Sequence, residues 1–83
     1  MADGEADPIA RADAAPGDVD LALTAADAEI AAGKVEQAFD RLLAVIMKNK
    51  ELVRTRMVEL FALFDAGDPR VADARARMAN ALF

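Results

Sequence analysis

The chain has no cysteine, histidine, tryptophan or tyrosine. Without cysteine there is no disulfide framework, no thiol nucleophile and no thiolate ligand for a metal. Without histidine there is no side chain that ordinarily titrates near neutral pH, and the commonest metal ligand is missing. The four glycines stand apart from one another, so no glycine-rich phosphate loop is built. No apolar run approaches the roughly 18 residues of a membrane span, and the first residues lack the basic start and apolar stretch of a secretory signal. A cytoplasmic protein without a membrane partner is the expectation.

Charge is uneven. The net value is −5, divided between −7 over residues 1–33 and +2 over residues 34–83. An acidic chain is poorly suited as a whole to the phosphate backbone of nucleic acid. Arg41, Lys48, Lys50, Arg54 and Arg56 nevertheless cluster around the middle of the sequence, and a nucleic-acid accessory surface is the weakest of three functional readings. No aromatics are interleaved with these bases, which favours a solvated turn.

Apolar residues make up 55% of the chain. Much of that fraction is alanine, which buries little surface. The larger apolar side chains crowd between Phe39 and Phe64, where the core of one small domain is expected. Residues 1–17 hold one large apolar side chain, Ile9, and read as a flexible acidic, alanine-rich tail or linker, with room in "PIARADAA" for one or two helical turns. Asp3, Glu5 and Asp7 alternate like calcium-loop acids, but the glycine and closing glutamate of such a loop are missing. No metal or cofactor is expected.

From Asp18 onward the punctuation is helical. Asp18 is placed to cap a helix and Gly33 to close it, and Val19, Leu23, Ala26 and Ile30 repeat on one face between them. Val35, Ala38, Phe39, Leu42, Leu43, Val45 and Ile46 form a second face; Val53, Met57, Leu60, Phe61 and Phe64 form a third. Asp68 and Pro69 pair as N-cap and first helical residue, and Val71, Met78 and Leu82 follow as the last face. The spacing predicts an all-α fold of four up-and-down helices over about 18–32, 34–48, 50–66 and 69–82. Only Asn49 argues for a break between the second and third. One continuous helix from Lys34 to Ala66 is the alternative, and it would force an exchanged dimer. Met47, Val58 and Leu63 lie off the main stripes, which predicts burial, centrally or against another subunit.

Two stretches carry a resemblance. "AAGKVEQAFDRLLAVI" resembles the turn and second helix of a tetratricopeptide hairpin, with Gly33 at the turn and Ala38 at the small packing position. "RTRMVELFALFDAGDPRVADARARMANALF" resembles the C-terminal end of thioredoxin-like proteins with a helical extension, the chaperedoxins. The similarity runs from about Asp18 to Phe83. It implies tetratricopeptide-like hairpins, excised from a longer protein, acting as a non-catalytic interaction module of a chaperone-associated thioredoxin. The thioredoxin domain with its Cys-x-x-Cys is absent here, so no redox activity is carried over. The family assigns chaperonin contact to the C-terminal helix. The positions matching it are Arg75, Met78, Leu82 and Phe83, with a chaperonin or unfolded client as partner.

The residues of that last helix also have plainer readings. Arg75 can extend its charge past a buried stem or pair with Glu59. Arg70, Asp73 and Arg77 are spaced for ion pairs on a solvated face. Ala72, Ala76 and Ala79 form a small-residue strip suited to packing on the preceding helix. Phe83 either folds onto the core with Leu82 or stands exposed as an aromatic anchor for a partner's groove. Catalysis would have to rest on carboxylates such as Asp65 and Asp68 or on the hydroxyls of Thr24 and Thr55. Capping explains those acids more simply, so no catalytic residue is assigned. Homo-oligomerisation through surplus apolar faces is the alternative to the interaction module.

Overall fold

Apolar periodicity, acidic N-caps and one left-handed glycine are enough to divide this chain into helices, and a computed structural model of the protein, describing residues 7–83, shows where they fall. Helix α1 spans Pro8–Ala14, α2 Val19–Ala31 and α3 Val35–Val45. A 3₁₀ turn over Ile46–Lys48 leads into α4, Lys50–Phe61, and the last helix, α5, is Pro69–Leu82. There is no strand among the described residues. The fold is all-α, built from helical hairpins of the tetratricopeptide kind.

Four of the five starts have a capping side chain, and α3 follows directly on the turn at Gly33 and Lys34. Asp7, Asp18, Asn49 and Asp68 all sit at N-caps, their side-chain oxygens accepting from the N–H of Ile9, Leu21, Leu52 and Arg70 at 3.0, 3.0, 3.2 and 2.9 Å. Pro8 and Pro69 take the first helical position, where a missing N–H costs nothing. Gly33 has φ +80° and ends α2. Lys34 N–H donates to Glu29 O at 2.8 Å and Gly33 N–H to Ile30 O at 3.0 Å, the paired bonds of a Schellman cap.

The chain breaks at Asn49, whose extended φ of −156° and ψ of 86° interrupt the helical run. Residues 34–66 therefore form two helices, and no exchanged dimer is required by an unbroken one. Helix α4 stops at Phe61, short of the expected Ala66. Leu63 N–H and Phe64 N–H bond back only three residues, to Leu60 and Phe61 at 3.1 Å each. The tightened exit turns the Phe64 ring onto Phe39, 6.3 Å between centroids at 71°. Phe61 meets the same ring at 5.2 Å, so Phe39 is the centre of the aromatic core. Leu42, Val45, Ile46, Val53, Met57, Val71 and Ala74 fill the space around it.

One difference lies in the stretch read as a tail. Residues 1–6, with Asp3 and Glu5, lie outside the described residues, but Pro8–Ala14 is a helix packed on α2, and Ala12 is buried. The cause is a second alanine face on α2. Ala25 is fully buried outside the main core, and Glu29 on the same side of α2 reaches Arg41, which also holds Asp13 of α1.

Helix α3 is central. It packs against α2, α4 and α5, and α5 lies parallel to it, with Glu36 and Arg70 sharing one groove and Arg77 reaching Asp40 further along. The Cα framework measures 41 × 26 × 15 Å. A Cα thickness of 15 Å is that of two packed helix layers. Every helix therefore keeps a face on solvent, α3 through Glu36, Gln37 and Asp40. This is why Met47, Val58 and Leu63, expected to be buried, are 63%, 46% and 66% exposed in the single chain.

Candidate functional site

Helix α5 brings the four sequence-nominated residues to one end of the molecule, beside the 3₁₀ turn it contacts. Met78, Ala81 and Leu82 are half-buried against the core. Phe83 donates its N–H to Ala79 O at 3.1 Å, so the backbone stays helical through the last bond while its side chain is wholly exposed. Leu82 thus folds onto the core and Phe83 does not. Arg75 is exposed, and its guanidinium carbon stands 5.3 Å from the centroid of the Phe61 ring. It stacks on an aromatic face. Glu59 takes a different partner, Arg56, at 3.5 Å.

The rest of α5 is ordered by ion pairs. Arg77 reaches Asp40 of α3 at 2.6 Å and Asp73 of its own helix at 3.6 Å. Arg70 chelates Asp68 and covers the Phe64 ring at 5.5 Å. That contact, with the Arg70 N–H, holds the Asp68 carboxyl down at about 2. Asp68 is a cap and not half of a catalytic pair. The alanine strip is displaced from its expected place: Ala72 and Ala76 are exposed, Ala79 is half-buried, and Ala74 and Ala81 face the core instead. Val71 fixes the rotation, because its complete burial turns Ala74, Met78 and Leu82 inward with it. A groove of about 400 Å³ separates α3 from α5, lined by Glu36, Phe39, Asp40, Arg70, Asp73 and Arg77 among others.

The basic cluster does not survive folding as one surface. Arg56 turns inward to α2, bonding Asp27 Oδ2 at 2.6 Å and Leu23 O at 3.3 Å. Arg41 turns to the opposite side. Its Nε and Nη2 each bond a Glu29 carboxylate oxygen at 2.9 Å, and Nη2 also bonds Asp13 Oδ1 at 2.8 Å. Glu29 is 3% exposed, the one buried charged residue among those described. The bidentate carboxylate raises the Arg41 pKa further above its ordinary value, against the opposing effect of burial. This triad was not anticipated from the sequence. Its signal is the position of Glu29, four residues after Ala25 and three after Ala26 on an alanine face.

No group of acids among the described residues is arranged to hold a metal ion. No helix is long and apolar enough to cross a membrane. An all-helical set of hairpins with short turns and charged outer faces defines a helical-repeat scaffold. The tetratricopeptide repeat family model matches residues 5–83, and the chain belongs to that family. Uncharacterised proteins of Mycobacterium bovis and of two strains of Mycobacterium tuberculosis are each 41% identical to it over 81 residues. The match covers 93% of this chain and 27% of each relative, so the chain spans about a quarter of their length. No solved structure matches it.

Proposed function

We propose that the protein is a non-catalytic interaction module that binds a protein partner through the closing turn of α5, with Phe83 as anchor and Arg75, Met78 and Leu82 as its surroundings. The observation that carries this reading is the exposure of Phe83, 104% of its reference value, next to a Leu82 that is already seated. An exposed aromatic side chain next to a seated leucine suits a partner's apolar groove. Family membership supports a protein as the partner, since tetratricopeptide scaffolds present helical surfaces for binding. The match to about a quarter of each longer relative supports a module joined to other domains. By its resemblance to the chaperedoxins, that larger protein is a cytoplasmic, thioredoxin-like, chaperone-associated one, and the partner is a chaperonin or an unfolded client.

Co-sedimentation with purified chaperonin tests the reading. Phe83→Ala is expected to weaken binding at least about tenfold, the effect of an aromatic hot spot, with the thermal midpoint unchanged. Leu82→Ala is expected to lower both binding and the midpoint. Equal binding by Phe83→Ala and the parent chain would remove the α5 end from the interface.

A second reading has one observation of its own. Leu52 and Val58 on α4, with Leu63 just beyond it, are 40%, 46% and 66% exposed, an apolar content that suits self-association. A solution mass that stays at 8.8 kDa as concentration rises would exclude it.

A further inference from the structure

The cations of α4 and α5 fall into two groups. Arg56, Arg70 and Arg77 each hold a carboxylate at 2.8 Å or closer. Lys50, Arg54 and Arg75 are exposed, and among the described residues none of the three enters an ion pair. Folding gains nothing from Lys50 where it stands, because it opens α4 and a positive charge in a first turn opposes the helix dipole.

These three side chains border one seam. Arg70 over the Phe64 ring and Arg75 over the Phe61 ring set α4 and α5 antiparallel. About two turns back from Phe61 on α4 stands Arg54, and about two turns onward from Arg75 on α5 stands Leu82. Arg54 therefore flanks the closing turn of α5, and Lys50 lies one turn beyond it. Around the α5 axis Phe83 falls about 80° from Arg75 and about 120° from Arg77, so its ring is on the α4 side. The neighbouring acids are turned elsewhere: Arg77 holds Asp73 at 3.6 Å and Arg56 holds Glu59 at 3.5 Å. Of the acids on α4, Glu51 remains, and three cations meet one carboxylate. Lys48 is not part of the row, since its Nζ lies over Gly17 in the α1–α2 turn.

We propose that this seam recognises an acidic amphipathic segment of the partner protein, its carboxylates on Lys50, Arg54 and Arg75 and an apolar side chain against Phe83. The inference rests on Phe83 as the anchor of the interface and adds the partner's chemistry and two residues of α4. Charge complementarity selects the occupant, because an excess of positive charge borders the exposed ring on a chain whose net charge is −5. The acids of α1 and α2 repel the same segment, which directs it to this end of the molecule.

Fluorescence anisotropy on the full chain tests the proposal with two labelled probes, an amphipathic helical peptide of Leu, Ala and Glu and the same peptide with Gln for every Glu. The Glu peptide is expected to bind saturably, more weakly as salt rises, and the Gln peptide at least about tenfold more weakly. Lys50→Gln combined with Arg54→Gln should weaken the Glu peptide about three- to tenfold, the loss of two exposed charge contacts. The thermal midpoint of that variant should be unchanged or higher, since the opposing first-turn charge is gone. Phe83→Ala should weaken both peptides. No saturable binding of the Glu peptide, equal binding of the two peptides, or no loss in the double variant would overturn the acidic partner and leave Phe83 standing as anchor. Loss in the double variant with none in Phe83→Ala would remove the anchor, and this proposal with it. A single-stranded oligonucleotide bound as tightly as the Glu peptide would make the seam a general polyanion surface and overturn the proposal as well.

Discussion

Arg41 and Phe83 show how differently single residues are committed in this chain. Arg41 is the partner of the buried charge Glu29, so removing it leaves a carboxylate with no compensation. Arg41→Met is expected to cost about 3 kcal/mol, while Glu29→Met with Arg41→Met together costs much less, because the uncompensated charge is gone. Urea denaturation of the single and double variants measures both. Arg77 makes a bond of similar length to Asp40, but both side chains are about half exposed, at 47% and 60%. Its removal is expected to cost under about 1 kcal/mol. Phe83 contributes nothing to the core and Leu82 does, which is why the two adjacent substitutions separate binding from stability.

At the scale of the element, helix ends carry the information. Four of the five helices were anticipated by caps, Pro69 and apolar spacing, while α1 lay in a stretch read as a tail, and the Schellman bonds at Gly33 give the reading of α2's end a physical basis. Asp68 is the cap with a titration of its own. Its carboxyl is drawn from 3.8 to about 2 by the Arg70 side chain first and the Arg70 N–H second. The folded state therefore favours the ionised form: this contribution is complete above about pH 4 and is lost as the pH falls toward 2. Thermal denaturation of the parent and Asp68→Asn should show an advantage for the parent at pH 5 that has largely closed by pH 2. A constant difference would place the stabilisation elsewhere. Helix length was less legible than helix start. Nothing in the composition of residues 62–66 ends α4 early; the pull of the Phe64 ring toward Phe39 does. The rotation of α5 was likewise set by burial of Val71, which exposed Ala72 and Ala76.

At the scale of the whole molecule, one aromatic core around Phe39 ties α3, α4 and α5 together, while α1 rests on α2 through a separate alanine contact. Thermal unfolding followed by circular dichroism, the suitable probe for a chain without tryptophan or tyrosine, is expected to show one cooperative transition for α2–α5. Loss of α1 precedes it, at a helicity change proportionate to seven residues. Two resolved transitions within α2–α5 would contradict a shared core. The sequence by itself determined the helical class, the starts of α2 to α5 and the position of the core, since capping groups and apolar periodicity act over three or four residues along one chain. The tertiary structure alone decided that Arg41 belongs to Glu29 and Asp13, that Arg75 stacks on Phe61, and that Phe83 stands free. Those outcomes depend on which helix faces meet across two packed helix layers, and no local spacing encodes that.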